Sequence, residues 1–251
     1  MIGPGGDPGP IGRDLVSWTI MAADETLAIL WDDPHVLGVV KPAGLLTQGV
    51  PGGEPTLEGA VRRHLRPDDP GSVYLGTVHR LDRAVSGVIV WAKTPKAATR
   101  LAGQFARGEA RKVYWAVAEG GPLAREERWD DHLGPVDASG AARVVAEGTP
   151  GARRAITHIR PIDGARVPEG LAFLGLEPET GRTHQLRAQA ASRGRPIVGD
   201  ARYGSARPFP AGIALHARRL GFVHPATRVE VNLTAPTPRA WAEAGIVPPK
   251  A

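Results

Sequence analysis

Cysteine is absent from this 251-residue chain. That excludes disulfides, iron–sulfur clusters, thiolate zinc sites and a cysteine nucleophile, and it fits a reducing, cytoplasmic setting. No apolar run approaches the ~20 residues of a membrane-spanning helix. The opening MIGPGGDPGPIGRD has neither the apolar core of a signal peptide nor the basic amphipathic pattern of a transit sequence. Its glycines do not sit between a strand and a helix, so no phosphate-binding loop is expected there. HExxH and GxSxG are also missing. The eight histidines, at 35, 64, 79, 132, 158, 184, 216 and 224, are scattered, so no metal site is expected. Acidic residues are scarce from residue 71 onward.

What is present is turn-rich and basic. There are 32 glycines and 24 prolines, and 42% of residues are hydrophobic, enough to build a core. Residues 1–70 carry 5 Lys/Arg against 10 Asp/Glu, and residues 71–251 carry 26 against 16. Between Arg182 and Arg228 stand nine arginines and one acid, Asp200. Such a stripe suits a polyanion, because neutralised phosphates release counterions. It also suits a solvated basic face.

The pattern has no internal repeat and no strong linker after about residue 25. Residues 1–24 read as a flexible tail and 25–251 as one domain. Strands are expected at 35–44, 87–93, 112–119, 153–162, 171–178, 213–225 and 228–236. Thr56 predicts a helix through LEGAVRRHL. Thr94-Pro95 gives an N-cap followed by proline at the first helical position, with Gly108 as the stop. Further helices are expected at 183–194, closed by Gly194, and at 240–245. Strands outnumber helices and follow one another like hairpins. The expected fold class is α+β, a mixed, mostly antiparallel sheet flanked by helices, rather than regular βαβ winding.

The segment VHRLDRAVSG (78–87) places a single carboxylate, Asp82, among Arg80, Arg83 and His79. No acid follows until Glu109, so nothing local supports a two-carboxylate glycosidase. An acid beside arginine is ordinarily a structural ion pair. Opposite charge also keeps a carboxylate ionised, and an ionised Asp can act as nucleophile or base on a substrate that the arginines bring in. On strand 112–119, Val113, Trp115 and Val117 share one face, and Tyr114 lies on the other.

Five segments together resemble the RluA-type RNA pseudouridine synthases. They are DDPHVLGVVKPAGLLTQ (32–48), HRLDRAVSGVIVWAKT (79–94), ARKVYWAVAEG (110–120), LEPETGRTHQLRAQAASRGRPIVGDARYG (176–204) and LHARRLGFVHPAT (215–227). They occur in that family's order and span most of the chain. Val85 stands where the family usually has Thr, and Gln189 where His is common. The chain starts too near the core for the S4-type RNA-binding domain that many relatives carry.

The resemblance implies a pseudouridine synthase fold with a central catalytic cleft. The reaction is isomerisation of uridine to pseudouridine in structured RNA. The partner is a ribosomal or transfer RNA stem-loop, met by a monomer with no metal and no organic cofactor. It implies Asp82 as the essential acid, Arg182 pairing with it, and Tyr114 stacking on a flipped uracil. Arg80, Arg83, Leu186, His184 and Arg187 would bind substrate. Arg193, Arg195, Arg202, Arg218 and Arg219 would join Arg187 in contacting phosphates. Two rival readings remain: an RNA-binding or RNA-chaperone module without catalysis, motivated by Val85 and Gln189, and a hydrolase of nucleoside N-glycosidic bonds.

Overall fold

The computed structural model describes residues 17–21, 25–49 and 53–249. In chain order the elements are β1 (Ser17–Met21), β2 (Glu25–Asp32), β3 (Val36–Lys41), α1 (Leu57–Leu65), β4 (Gly76–Thr77), β5 (Ser86–Ala92), α2 (Pro95–Ala106), β6 (Arg111–Glu119), β7 (Glu127–Leu133), β8 (Val144–Val145), β9 (Arg153–Pro161), β10 (Leu171–Pro178), α3 (Gln185–Ser192), β11 (Leu215–Val223), β12 (Glu230–Thr234) and α4 (Arg239–Glu243). Short 3₁₀ turns lie at Pro70–Ser72 and Ala201–Tyr203.

All twelve strands belong to one sheet, ordered β1-β2-β3-β5-β11-β6-β10-β9-β7-β8, with β12 on β11 and β4 on β5. Every pairing is antiparallel except β5 with β11, which is parallel. The mixed, mostly antiparallel α+β sheet is as expected. Of the expected tail, residues 17–21 instead pair with β2 as an edge strand, since Ser17 to Met21 register against Ile29 to Glu25. The remainder of that tail lies outside the described residues. Among the described residues no helix is long and apolar enough to cross a membrane.

The helix signals in the sequence act as read. Thr56 accepts a hydrogen bond from the Gly59 N–H and Thr94 from the Ala97 N–H, each satisfying an orphan donor of the first turn. Pro95 opens α2, where no amide hydrogen is needed. Gly108 adopts φ +72, the left-handed geometry that ends a helix.

β5 is buried along all seven residues, so its two faces meet different layers. Ile89 and Trp91 pack with Leu37, Val39 and the α1 residues Leu57 and Val61. Val88 and Val90 pack with Leu220, Phe222 and the α2 residues Ala97 and Leu101. This period-two split places α1 and α2 on opposite faces. A further core joins Val117, Leu174, Leu176 and Phe173 to Trp241 of α4.

Gly87 lies where β5 leaves the Asp82 segment and meets β11. Its φ is +123, and a Cβ there would stand 2.3 Å from the Ala217 carbonyl oxygen. No other residue fits, because both the backbone angle and the space exclude a side chain. Gly212, at φ +68, approaches the same segment, with its would-be Cβ 2.3 Å from the Ala84 oxygen. These two contacts seat the loop before β5 directly over the junction of the two halves of the sheet.

Candidate active site

The loop 79–85 is held at nearly every residue. The Val90 N–H donates to His79 Nε2 at 3.0 Å, and that ring stacks on Phe105 with centroids 4.6 Å apart. Thr47 Oγ1 donates to the Leu81 carbonyl at 2.8 Å and accepts from the Leu81 N–H at 3.3 Å. The Arg83 carbonyl accepts from the Gly44 N–H at 2.8 Å and from Lys41 Nζ at 3.1 Å. The Ile213 N–H donates to the Ala84 carbonyl at 3.2 Å. Asp82 therefore sits on a rigid platform.

Lys41 is fully buried. Its ammonium also donates to the carbonyls of Pro42 at 2.8 Å and Leu45 at 2.7 Å. Three acceptors match the three N–H bonds of the charged form. Burial draws its pKa down to about 7, against the opposing pull of Asp82.

Arg187 of α3, buried at 6% exposure, is the cation that holds Asp82. Its Nη1 donates to Asp82 Oδ2 at 3.1 Å. Its Nε and Nη2 grip both oxygens of Asp200 at 2.6 and 2.8 Å. Its guanidinium carbon lies 4.8 Å from the Tyr203 ring centroid. Burial works against its charge, but Asp200 and then Asp82 outweigh burial and raise its pKa. A planar fork able to serve two carboxylates and one ring face explains arginine here rather than lysine.

The expected pair of Asp82 with Arg182 is corrected by this geometry. Arg182 is exposed on the cleft rim, and its Nε donates to the Arg154 carbonyl at 3.0 Å. The reason is local. Gln185 accepts from the Arg182 N–H at 3.0 Å and from Thr180 Oγ1 at 2.7 Å, while its amide donates to Ile156 and Thr157. That lock turns residue 182 outward, while residue 187, inside α3, points inward.

His184 stands at the foot of α3 with φ 54, an uncommon angle for a non-glycine residue. Its Nδ1 is 3.0 Å from Tyr203 Oη and its Nε2 is 3.6 Å from Asp82 Oδ2. Burial lowers the pKa of His184 and keeps the ring neutral. Arg187 hydrogen-bonds Oδ2, and the His184 ring stands beside the same oxygen without a hydrogen bond to it. Among the described residues nothing bonds Oδ1.

A cleft of about 560 Å³ opens beside Asp82, lined by Tyr114, Val85, Leu186, Leu215, Arg80 and the 178–187 loop among others. Tyr114 comes from β6, registered between Ala217 and Leu176. Burial, with a smaller contribution from Asp82, raises its pKa well above the usual phenol range, so it stays protonated. Leu186 is buried against the core. Arg80 is exposed and has no carboxylate partner among the described residues. Arg83 is taken up by Glu54 at 2.9 Å and the Gly44 carbonyl at 2.9 Å. On the other side of the Asp82 loop a second hollow shares Arg80, Asp82, His184 and Arg187 and adds Arg202.

Several arginines of the stripe make bonds within the fold. Arg193 bonds both oxygens of Asp131 and covers Trp129. Arg195 donates to the Gly121 carbonyl at 2.7 Å and Arg202 to Gly140 at 3.0 Å. Arg218 bonds the Ala235 carbonyl and covers Trp115. Arg219 stays exposed on β11. Gln189 is fully buried and saturated, accepting from Thr157 and donating to Asp131 and to the Ala155 carbonyl. Among the described residues no cluster of side chains could hold a metal ion. The residues sequence reasoning missed are Lys41, Thr47, Asp200 and Tyr203. Asp200 had a signal, as the one acid inside the stripe.

Residues 35–192 match the family model described as RNA pseudouridylate synthase. Ribosomal large subunit pseudouridine synthase D of Xanthomonas campestris is 35% identical over 233 residues, 86% of this chain and 67% of the relative. The tRNA pseudouridine synthase C of Vibrio vulnificus is 32% identical over 243 residues, 86% and 93%. The solved human RNA pseudouridylate synthase domain containing 4 has the same fold, with a TM-score of 0.69 over 88% of this chain and 94% of that one, at 23% identity. The chain belongs to the RNA pseudouridylate synthase family.

Proposed function

We propose that Asp82 is the essential acid of uridine-to-pseudouridine isomerisation in a ribosomal or transfer RNA stem-loop, carried out by a monomer on a base flipped into the cleft. The observation that carries this is the asymmetry of the carboxylate. Arg187 holds Oδ2 with His184 beside it, and Oδ1 is left for the substrate beside Tyr114 and Leu186. The guanidinium fixes the orientation of the carboxylate before substrate arrives.

In this reading the N1–C1′ bond breaks, the uracil turns within the cleft, and C5 bonds to C1′. The C5 proton leaves and N1 gains one, so atoms balance and the product has the mass of the substrate. The protonated Tyr114 ring stacks on the base and walls it from water. Arg80, free on the rim, fills the gap the base leaves. The flipped state suits a loop better than a duplex, because unstacking there costs least.

The test is release of tritium from C5-labelled uridine in total ribosomal and transfer RNA. Wild-type protein releases it without freeing uracil. Asp82→Asn abolishes release, while RNA affinity stays within about tenfold, since one negative charge is lost near phosphates. Wild-type turnover by the Asn variant would refute the role of Asp82.

A further inference from the structure

Two lysines stand near the cleft, Lys41 fully buried and Lys112 half-buried, and they differ in one respect. Lys41 has all three N–H bonds met by carbonyls. Lys112, on β6 two residues before Tyr114, has one long contact, to the Thr180 carbonyl at 3.5 Å. No carboxylate lies within ion-pair distance of it among the described residues. Glu179, on the same cleft wall, is committed to His158 at 2.5 Å. An ammonium taken partly out of water without an anion is unfavourable, and burial acts on its pKa, downward. Two-residue spacing puts Lys112 and Tyr114 on one face of the strand, and both line the cleft.

The outer end of the cleft differs from the Asp82 end. It is walled by Ala102, Phe105 and Ala106 of α2 and by His79. Lys112 registers opposite Leu220 of β11, which packs with Ala97 and Leu101 of α2, whereas Tyr114 registers opposite Ala217. Lys112 therefore stands toward the α2 end of the cleft. The volume of about 560 Å³ exceeds what one uracil needs. We propose that Lys112 is a phosphate seat: its ammonium pairs with a backbone phosphodiester next to the target nucleotide, at the α2 end of the cleft. This rests on the reading of the cleft as the RNA site, and deepens it by assigning the anion that completes Lys112.

The test is equilibrium binding of total transfer RNA and total ribosomal RNA over a range of KCl, alongside turnover of whichever RNA the wild type converts. Lys112→Met keeps the apolar stem and removes the charge; Lys112→Arg keeps the charge. For Lys112→Met the slope of log affinity against log salt falls in magnitude by about 0.7–0.9, and KM rises roughly tenfold with kcat nearly unchanged. Lys112→Arg restores most of the slope. An unchanged slope, or a fall in kcat at constant KM, overturns the proposal; the latter would put Lys112 on the leaving uracil. Should Lys112→Met fold poorly, Lys112→Gln, whose amide can still donate to Thr180, is read by the same slope. If the wild type converts neither RNA, the functional reading fails, and the binding slopes still decide the role of Lys112.

Discussion

Arg187 joins two carboxylates, and removing it separates what it does for the fold from what it does for Asp82. Arg187→Met preserves an unbranched stem and deletes the fork. Asp200, at 2% exposure, then loses two hydrogen bonds of 2.6 and 2.8 Å and becomes an unpaired buried charge. Breaking such a pair from one side costs about 3–5 kcal/mol. For a chain of this length each kcal/mol moves the melting midpoint roughly 2–4 °C, so a drop of about 6–20 °C is expected. Adding Asp200→Asn removes the orphan charge and restores a large part of that loss, because an apolar or neutral replacement of a whole buried pair is often close to neutral. Pseudouridine formation behaves differently. Asp82 Oδ2 has lost its 3.1 Å partner in both variants, so activity stays low in the double variant even as the midpoint recovers. Urea unfolding and tritium release on the same preparations measure the two effects. Activity returning together with stability would refute the reasoning, since Arg187 would then act through folding alone. A stability loss below about 1 kcal/mol for Arg187→Met would equally refute the buried-pair account.

Acid should weaken the fold through buried neutral imidazoles. Burial lowers the pKa of His216 to about 4 and that of His79 to about 3. Below pH 6.5 the unfolded chain binds protons that the folded chain refuses. Stability is therefore full above 6.5 and falls as pH drops toward 4, by about 1.4 kcal/mol per pH unit per group. His216→Gln keeps a partner for Ser86 Oγ, now 2.8 Å from the ring, and should flatten the profile; the same loss of unfolding free energy between pH 6.5 and 4.5 in wild type and variant, by urea titration, would contradict this. Lys41→Met orphans the carbonyls of Pro42 and Leu45 and weakens the hold on Arg83. The expected loss is about 2–4 kcal/mol, with faster amide exchange at Gly44 and Val85 and a lower kcat; unchanged exchange there would show that the lysine does not brace the loop.

The sequence by itself determined the local structure and the family. Period-two and helical spacing, the Thr56 and Thr94 caps and the stop at Gly108 are properties of neighbouring residues, and they located most strands and all four helices. β1, β2, β4, β7 and β8 escaped notice. In β7, ERWDDHL carries charges at nearly every position, and only its place between β9 and β8 makes it a strand. The lone acid of HRLD marked the site, and five ordered segments marked the family. What only the tertiary structure decided was partnership. Arg182 and Arg187 lie five residues apart in one motif, and both are arginines. Gln185, locked onto β9, turns the first toward solvent, while the second, inside α3, points toward Asp82, 105 residues away in the chain. Likewise nothing local distinguishes an arginine that bonds a carbonyl or carboxylate, as Arg193 and Arg195 do, from one that stays exposed, as Arg219 does. Hydrogen bonds between distant segments depend on the direction in which each side chain leaves the packed backbone, and that direction is set by the sheet and core as a whole.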